Sequence, residues 1–331
     1  MLVFRRRRSK QLAAAVSREV HLARREMREG RFERSMALVT AFAAIVSGWE
    51  AYAQHLRGAF SHWLMWTPVA LTPPTVVATI GAVVSPRLAR RLLPALALAS
   101  LIDGAVGFVF HLRGIGRMPG GWKLGQYNVV MGPPIFAPLM TCMVGVVGLM
   151  AGLLRPARLR QPSWHEVVTV VLRPALRRRR QLQRRTAPRR ALDTFTASVS
   201  HGRFQRALAL TCATFAVLAG GEAYVEHLRG SFNRRLMWTP IWVTPPMVAA
   251  AVGAVFSQRV AEHILPLASA VTFLDGLLGF ALHIQGIRRM PGGLHNLQFN
   301  FTMGPPVFAP LLFSSVGLLG LIAALVRRRN T

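Results

Sequence analysis

Residues 31–159 and 203–331 carry one segment twice, in register at a constant offset of 172 residues and without a gap. EAYAQHLRG at 50–58 returns as EAYVEHLRG at 222–230, LMWTP at 64–68 as LMWTP at 236–240, and MGPPIFAPL at 131–139 as MGPPVFAPL at 303–311. Roughly half of the aligned positions are identical. The duplication requires one arrangement to be built twice in one chain. It also supplies an internal comparison, because a residue kept in both copies is one that a single copy uses.

Each copy holds four apolar runs close to the ~20 residues that a bilayer span needs. They lie near 36–55, 66–85, 93–112 and 133–154, then near 208–227, 238–257, 265–284 and 305–326. The fourth run of each copy opens on a Pro-Pro pair, which the first helical turn accepts. The expected fold is an all-α integral membrane protein. Its eight transmembrane helices form two tandem, parallel-oriented four-helix repeats. The expected division is a basic amphipathic segment at 1–34, a first repeat at 35–155, an Arg-rich linker at 156–202 and a second repeat at 203–331.

Charge placement sets the orientation. The chain is 52% hydrophobic yet carries a net charge of +29. Its arginines concentrate at 5–34 and 155–206, with Arg327, Arg328 and Arg329 at the end. Basic blocks flanking apolar spans follow the positive-inside rule and favour anionic lipid headgroups; they argue against nucleic acid as a partner. An even number of spans per repeat puts the N-terminus, linker and C-terminus together in the cytoplasm. The expected location is the inner (plasma) membrane. Arg18 and Glu19 interrupt the first apolar stretch, so no cleaved signal peptide is expected. Cys142 and Cys212 face Ser314 and Thr40 in the alignment, which speaks against a disulfide framework.

The inner loops differ between the copies, whereas the outer loops and outer helix ends are nearly the same. Four ionisable positions within the spans are kept twice: Glu50/Glu222, His55/His227, Asp103/Asp275 and His111/His283. An ionisable group in a span marks a functional position by default. His55 and His111 close the first and third spans at the outer interface. Asp103, about 12 Å below His111 at 1.5 Å per residue, is expected near mid-membrane. Glu50 and His55 are five residues apart, so they point about 140° from each other. The outer loops repeat Arg57/Arg229, Arg117/Arg289, Met118/Met290, Gln126/Gln298 and Asn128/Asn300. The RMPGG strings read as rigid turns, since glycine supplies positive φ and proline fixes φ.

These residues support three readings. In the first, they organise the outer half of each bundle in an accessory or scaffold subunit that meets other membrane or extracytoplasmic subunits. Glu50 then pairs with Arg57 or Arg117. In the second, the histidines hold haem, copper or iron in a redox component at the outer face. The repeated Met65/Met237, Met118/Met290 and Met131/Met303 add soft ligands on that side. In the third, the polar column conducts a proton, ion or small solute, but nothing polar repeats in the inner half. The sequence contains no nucleophile elbow, P-loop, Rossmann glycine pattern or zinc motif, so an enzyme is not expected. The copies diverge beside these positions: Gln54 becomes Glu226, Trp49 becomes Gly221, Arg113 becomes Gln285, and His62-Trp63 becomes Arg234-Arg235.

Overall fold

The structure, a computed structural model, describes residues 31–154 and 203–326. The basic segment up to residue 30, the linker over 156–202 and the C-terminal arginines lie outside the described residues. Every regular element among the described residues is helical. Helix α1 spans Arg31–Arg57, α2 Thr67–Val84 and α3 Pro86–Arg117. The short α4 (Gly125–Met131) leads into α5 (Ala137–Leu154). In the later segment α6 spans Arg203–Arg229 and α7 Thr239–Phe256. A π-helical turn at Val260–Ile264 precedes α8 (Leu265–Arg289), and α9 (Leu297–Met303) leads into α10 (Pro310–Val326).

Six of the described stretches are long and apolar enough to cross a membrane by length and composition, which marks a multi-pass membrane protein. α5 and α10 are apolar but shorter. The reason is local. Pro133-Pro134 and Pro305-Pro306 do not open the helix as expected. Gly132 and Gly304 leave the preceding helix in extended conformation, and a residue before proline is pushed out of the α region. The chain stays irregular until Ala137 and Pro310. Proline does sit in the first helical turn there, as Pro138 and Pro310. Thr72 and Thr75, which flank the prolines inside α2, donate their hydroxyls back to Pro68 O and Leu71 O, both at 2.8 Å.

The first helix of each segment is central. Half of α1 and α6 is buried (56% and 50% of the apolar window), against 22–28% for the other long helices. α1 packs on α2 and α5 of its own segment and on α9 and α10 of the other; α6 packs on α7 and α10 and, across the divide, on α4 and α5. One continuous core joins both segments and includes Met36, Val46, Met143, Leu208, Phe215, Met247, Phe313 and Leu319. Exposed Val, Leu, Ile and Phe side chains cover the outer faces of α2, α3, α7 and α8, the pattern of helices that meet lipid.

The third helix meets the fifth through missing side chains. A Cβ on Gly104 would lie 2.6 Å from Cys142 N and Pro138 O, and one on Gly276 would strike the Ser314 backbone. Cys142 Sγ and Ser314 Oγ then donate to Leu101 O at 3.3 Å and Phe273 O at 3.0 Å. The small residues let helices approach helices. Replacing Gly104 by alanine is therefore expected to lower stability by about 1–3 kcal/mol through overpacking, read as thermal unfolding in mild detergent. Gly58→Ala, whose new Cβ would sit 3.5 Å from its nearest neighbour, is the matched substitution that leaves the transition where it was.

Candidate functional site

The repeated polar residues divide into three arrangements. The first is a clasp between the two segments. A helix that ran through M-G-P-P-x-F would bond Val130 O to residue 134 and Gly132 O to residue 136. Pro134 has no N–H, and the extended backbone separates Gly132 O from Phe136 N. Residues of α6 fill these gaps. Arg229 donates Nε to Val130 O at 2.7 Å and Nη2 to Gly132 O at 2.8 Å. Glu222 Oε2 accepts from Phe136 N at 2.8 Å, and its carboxylate also holds the Ala137 backbone. Both groups act from one face, because residues seven apart on a helix return to nearly the same direction.

α1 does the same in reverse. Arg57 donates to Thr302 O and Gly304 O, and Glu50 interacts with the Phe308 backbone. The expected direct pairing of Glu50 with Arg57 or Arg117 is replaced by a relay: Gln54 Nε2 donates to Glu50 Oε1 at 2.8 Å and Arg57 Nη1 donates to Gln54 Oε1 at 3.3 Å. In α6, Glu226 takes the place of Gln54 and pairs with Arg229 at 3.0 Å. Arg117 and Arg289 are exposed instead.

The second arrangement is a histidine pair within each segment. The 140° between Glu50 and His55 turns one to the other segment and the other to its own α3. The His55 and His111 ring centroids are 6.4 Å apart, and those of His227 and His283 are also 6.4 Å apart. His111 Nδ1 bonds Pro134 O, and His283 Nδ1 bonds Pro306 O, both at 2.6 Å. A carbonyl only accepts, so each Nδ1 carries the proton and each Nε2 keeps its lone pair. His55 and His227 lie beside the Met65 and Met237 backbone. Their Nδ1 atoms are buried without a hydrogen-bond partner among the described residues. Left-handed, non-glycine residues follow: Ala59 and Phe60 have φ of 52° and 47°, Ser231 and Phe232 56° and 45°. This turn carries Phe60 over His55 and stacks it on Trp66 at 3.9 Å.

The third arrangement holds the aspartates. Thr67 Oγ1 donates to Asp103 Oδ1 at 2.5 Å; Thr239 stands beside Asp275, and its hydroxyl donates to Leu236 O at 3.1 Å. Thr67 is the first residue of α2. Asp103 therefore lies level with the first turn of that helix rather than near its middle, and α3 runs on to Arg117, beyond the expected end at 112. The repeated MWTP string, which places Thr67, was the available signal for this partner.

Among the loop candidates, Asn128 and Asn300 are buried and tie the RMPGG turn to the short helix. Asn128 Nδ2 donates to Pro119 O at 3.1 Å and Gly121 O at 2.8 Å, and Asn300 Nδ2 to Pro291 O and Gly293 O at 3.0 and 2.7 Å. The turn glycines have the expected positive φ, 77° and 50° in the first copy. Gln126 and Gln298 are exposed, and Met118 and Met290 pack beneath Gly132 and Gly304.

In the later segment the three arrangements meet in one cavity of about 870 Å³ that Glu222, His227, Asp275 and His283 line together, with Arg57 contributed from α1. Among the described residues no three His, Cys, Asp or Glu side chains are grouped to hold a metal ion. Comparison with family models, curated proteins and solved structures gave no match.

The clasp predicts a specific sensitivity. Arg229→Lys keeps the charge but loses the two-point grip. It is expected to cost about 1.5–3 kcal/mol, the range for hydrogen bonds to charged groups, in thermal or denaturant unfolding. Gln54→Glu, which removes the donor to Glu50 and sets two carboxylates side by side, is expected to cost about 1–3 kcal/mol in the same measurement.

Proposed function

We propose that this protein is an accessory or scaffold subunit of the inner membrane, with two four-helix halves in tandem, eight spans and both termini in the cytoplasm. The halves correspond to residues 35–155 and 203–331. The reciprocal clasp carries this reading. The half-buried Arg57, Arg229 and Glu222 and the buried Asn128 and Asn300, each kept in both copies, bind backbone atoms of the outer segments. Polar groups held this way fix the shape of a surface. That surface presents large apolar side chains, Trp122, Leu124 and Tyr127 on one side and Leu294, Leu297 and Phe299 on the other, each about half exposed or more. Aromatic residues at this level suit a lipid interface or a partner subunit.

The orientation and the role are tested separately. In a Cys142→Ser/Cys212→Thr background, which adopts residues of the opposite copy, a cysteine at Lys123 should react with a membrane-impermeant maleimide in intact cells. A cysteine at Gln258 should react only after permeabilisation. The reverse pattern would exclude this orientation. For the role, serine in place of Trp122, Tyr127 and Phe299 should remove the stoichiometric partner that crosslinks to the wild-type protein in its native membrane, with thermal unfolding unchanged. A protein that crosslinks only to lipid, with or without these substitutions, contradicts the accessory reading.

A further inference from the structure

The cavity in the later segment runs along α8, which lines it at Asp275, Gly279, Leu282, Gly286 and Arg289. These positions are three or four apart and share one face of the helix. At 1.5 Å per residue the lining stretch is about 21 Å long. The apolar span to which it belongs, Val260–Arg289, has 30 residues and a length of about 45 Å. A bilayer with its headgroups is about 40–45 Å thick. The cavity therefore follows the outer half of the span, to the depth of one lipid leaflet. Its volume of about 870 Å³ lies within the ~300–1,000 Å³ of small-molecule sites.

Five arginines and three carboxylates line this cavity. Arg57 and Arg229 are taken up by backbone carbonyls, Glu222 by Phe136 N and Glu226 by Arg229. Asp275 stands at the deep end of the α8 lining, beside Thr239. Arg234, Arg235 and Arg289 are exposed, and none of them pairs with an acidic side chain among the described residues. Met237, Leu282, Leu312 and Phe313 supply apolar wall. The earlier copy keeps Arg117, the counterpart of Arg289, but has His62 and Trp63 in place of Arg234 and Arg235. There the His62 ring packs on Trp63 at 6.1 Å and on Phe110, the counterpart of Leu282, at 6.2 Å. A segment thus builds the same frame without the added cations. In the proposed orientation these arginines face outward, against the positive-inside bias. An adjacent pair placed there in one copy only marks a role in binding.

We propose that the later segment holds one anionic phospholipid of the outer leaflet, with its phosphate at Arg234, Arg235 and Arg289 and an acyl chain against Leu282 and Phe313. Guanidinium groups grip phosphate oxygens at two points. A free phosphate matches the cations but not the apolar wall. A zwitterionic lipid carries a cation of its own beside the phosphate, which the arginines repel. The choice of leaflet rests on the proposed orientation. The site itself goes beyond the scaffold reading, and binding in detergent tests it whichever way the chain is inserted.

The test titrates phosphatidylglycerol into the full-length protein in mild detergent and follows binding by native mass spectrometry. The first lipid bound should survive activation that strips phosphatidylcholine of the same chain length. Arg234→Gln/Arg235→Gln should weaken it on the order of ten-fold, the equivalent of one hydrogen bond to a charged group. Arg90→Gln/Arg91→Gln removes the same charge from exposed positions at the opposite end of the bundle and should leave it unchanged. Arg234→His/Arg235→Trp/Leu282→Phe copies the earlier segment and should abolish the preference over phosphatidylcholine, with thermal unfolding in lipid-free detergent as the check on folding. Glycerol phosphate should neither bind nor displace the lipid at concentrations where the lipid saturates. Equal retention of the two lipids would overturn the proposal. So would equal weakening by the two double substitutions, which means charge attraction without a site, or glycerol phosphate binding as tightly as the lipid.

Discussion

A proline pair in an apolar setting leaves backbone carbonyls without donors, and a membrane supplies no water to replace them. M-G-P-P is where this chain meets that constraint. Val130 O faces Pro134 instead of an N–H, and Gly132 O is pulled away from Phe136 N. The helix that should join α4 to α5 is cut into two ends, one presenting carbonyls and the other amides. A guanidinium answers the first and a carboxylate the second, both from α6 of the other segment. The mutual arrangement of the segments follows from this exchange. Each first helix is drawn into the centre because its Glu and Arg must reach the opposite break, and the joint apolar core forms around that pair.

The exchange also decides which repeated polar groups are taken up by the backbone. Glu50, Glu222, Arg57 and Arg229 hold backbone, and Asn128 and Asn300 hold the RMPGG turns. Asp103 is held by Thr67 at the first turn of α2. The histidines differ in kind. In each pair one ring is held by a proline carbonyl, and Nδ1 of the other is buried without a hydrogen-bond partner among the described residues. That proline carbonyl belongs to the same M-G-P-P segment as the clasp. One break in the helix therefore serves both the union of the segments and the orientation of an imidazole.

Duplicated segments that share this frame differ in the side chains that line it. Trp49 packs against Phe308 at 6.0 Å, while its counterpart Gly221 lies against Phe136. Gln54 and Glu226 relay the same arginine by different chemistry. His62 packs on Trp63 and Phe110 where the later segment has Arg234, Arg235 and Leu282. The frame is preserved and the lining varies.

Much of this was legible in the sequence. Apolar run lengths marked the helices, because a bilayer sets how much continuous apolar chain a span requires. The gap-free repeat picked out Glu50, His55, Asp103, His111 and Asn128 with their counterparts, since residues kept twice serve something each copy needs. Helical geometry alone turned Glu50 and His55 apart. The helix starts at Ala137 and Pro310 were not legible, because proline is compatible both with a first turn and with a break before it, and only the surrounding contacts separate the two. Nor was the partner of Arg57. Its own copy and the other copy offer the same M-G-P-P string, so sequence cannot distinguish a bond within a segment from a bond between segments. Packing decided that, by placing α1 and α6 against the opposite breaks, and it set Asp103 level with the first turn of α2. Local chemistry and periodicity are written along the chain; which of two identical strings a side chain reaches is a property of three dimensions.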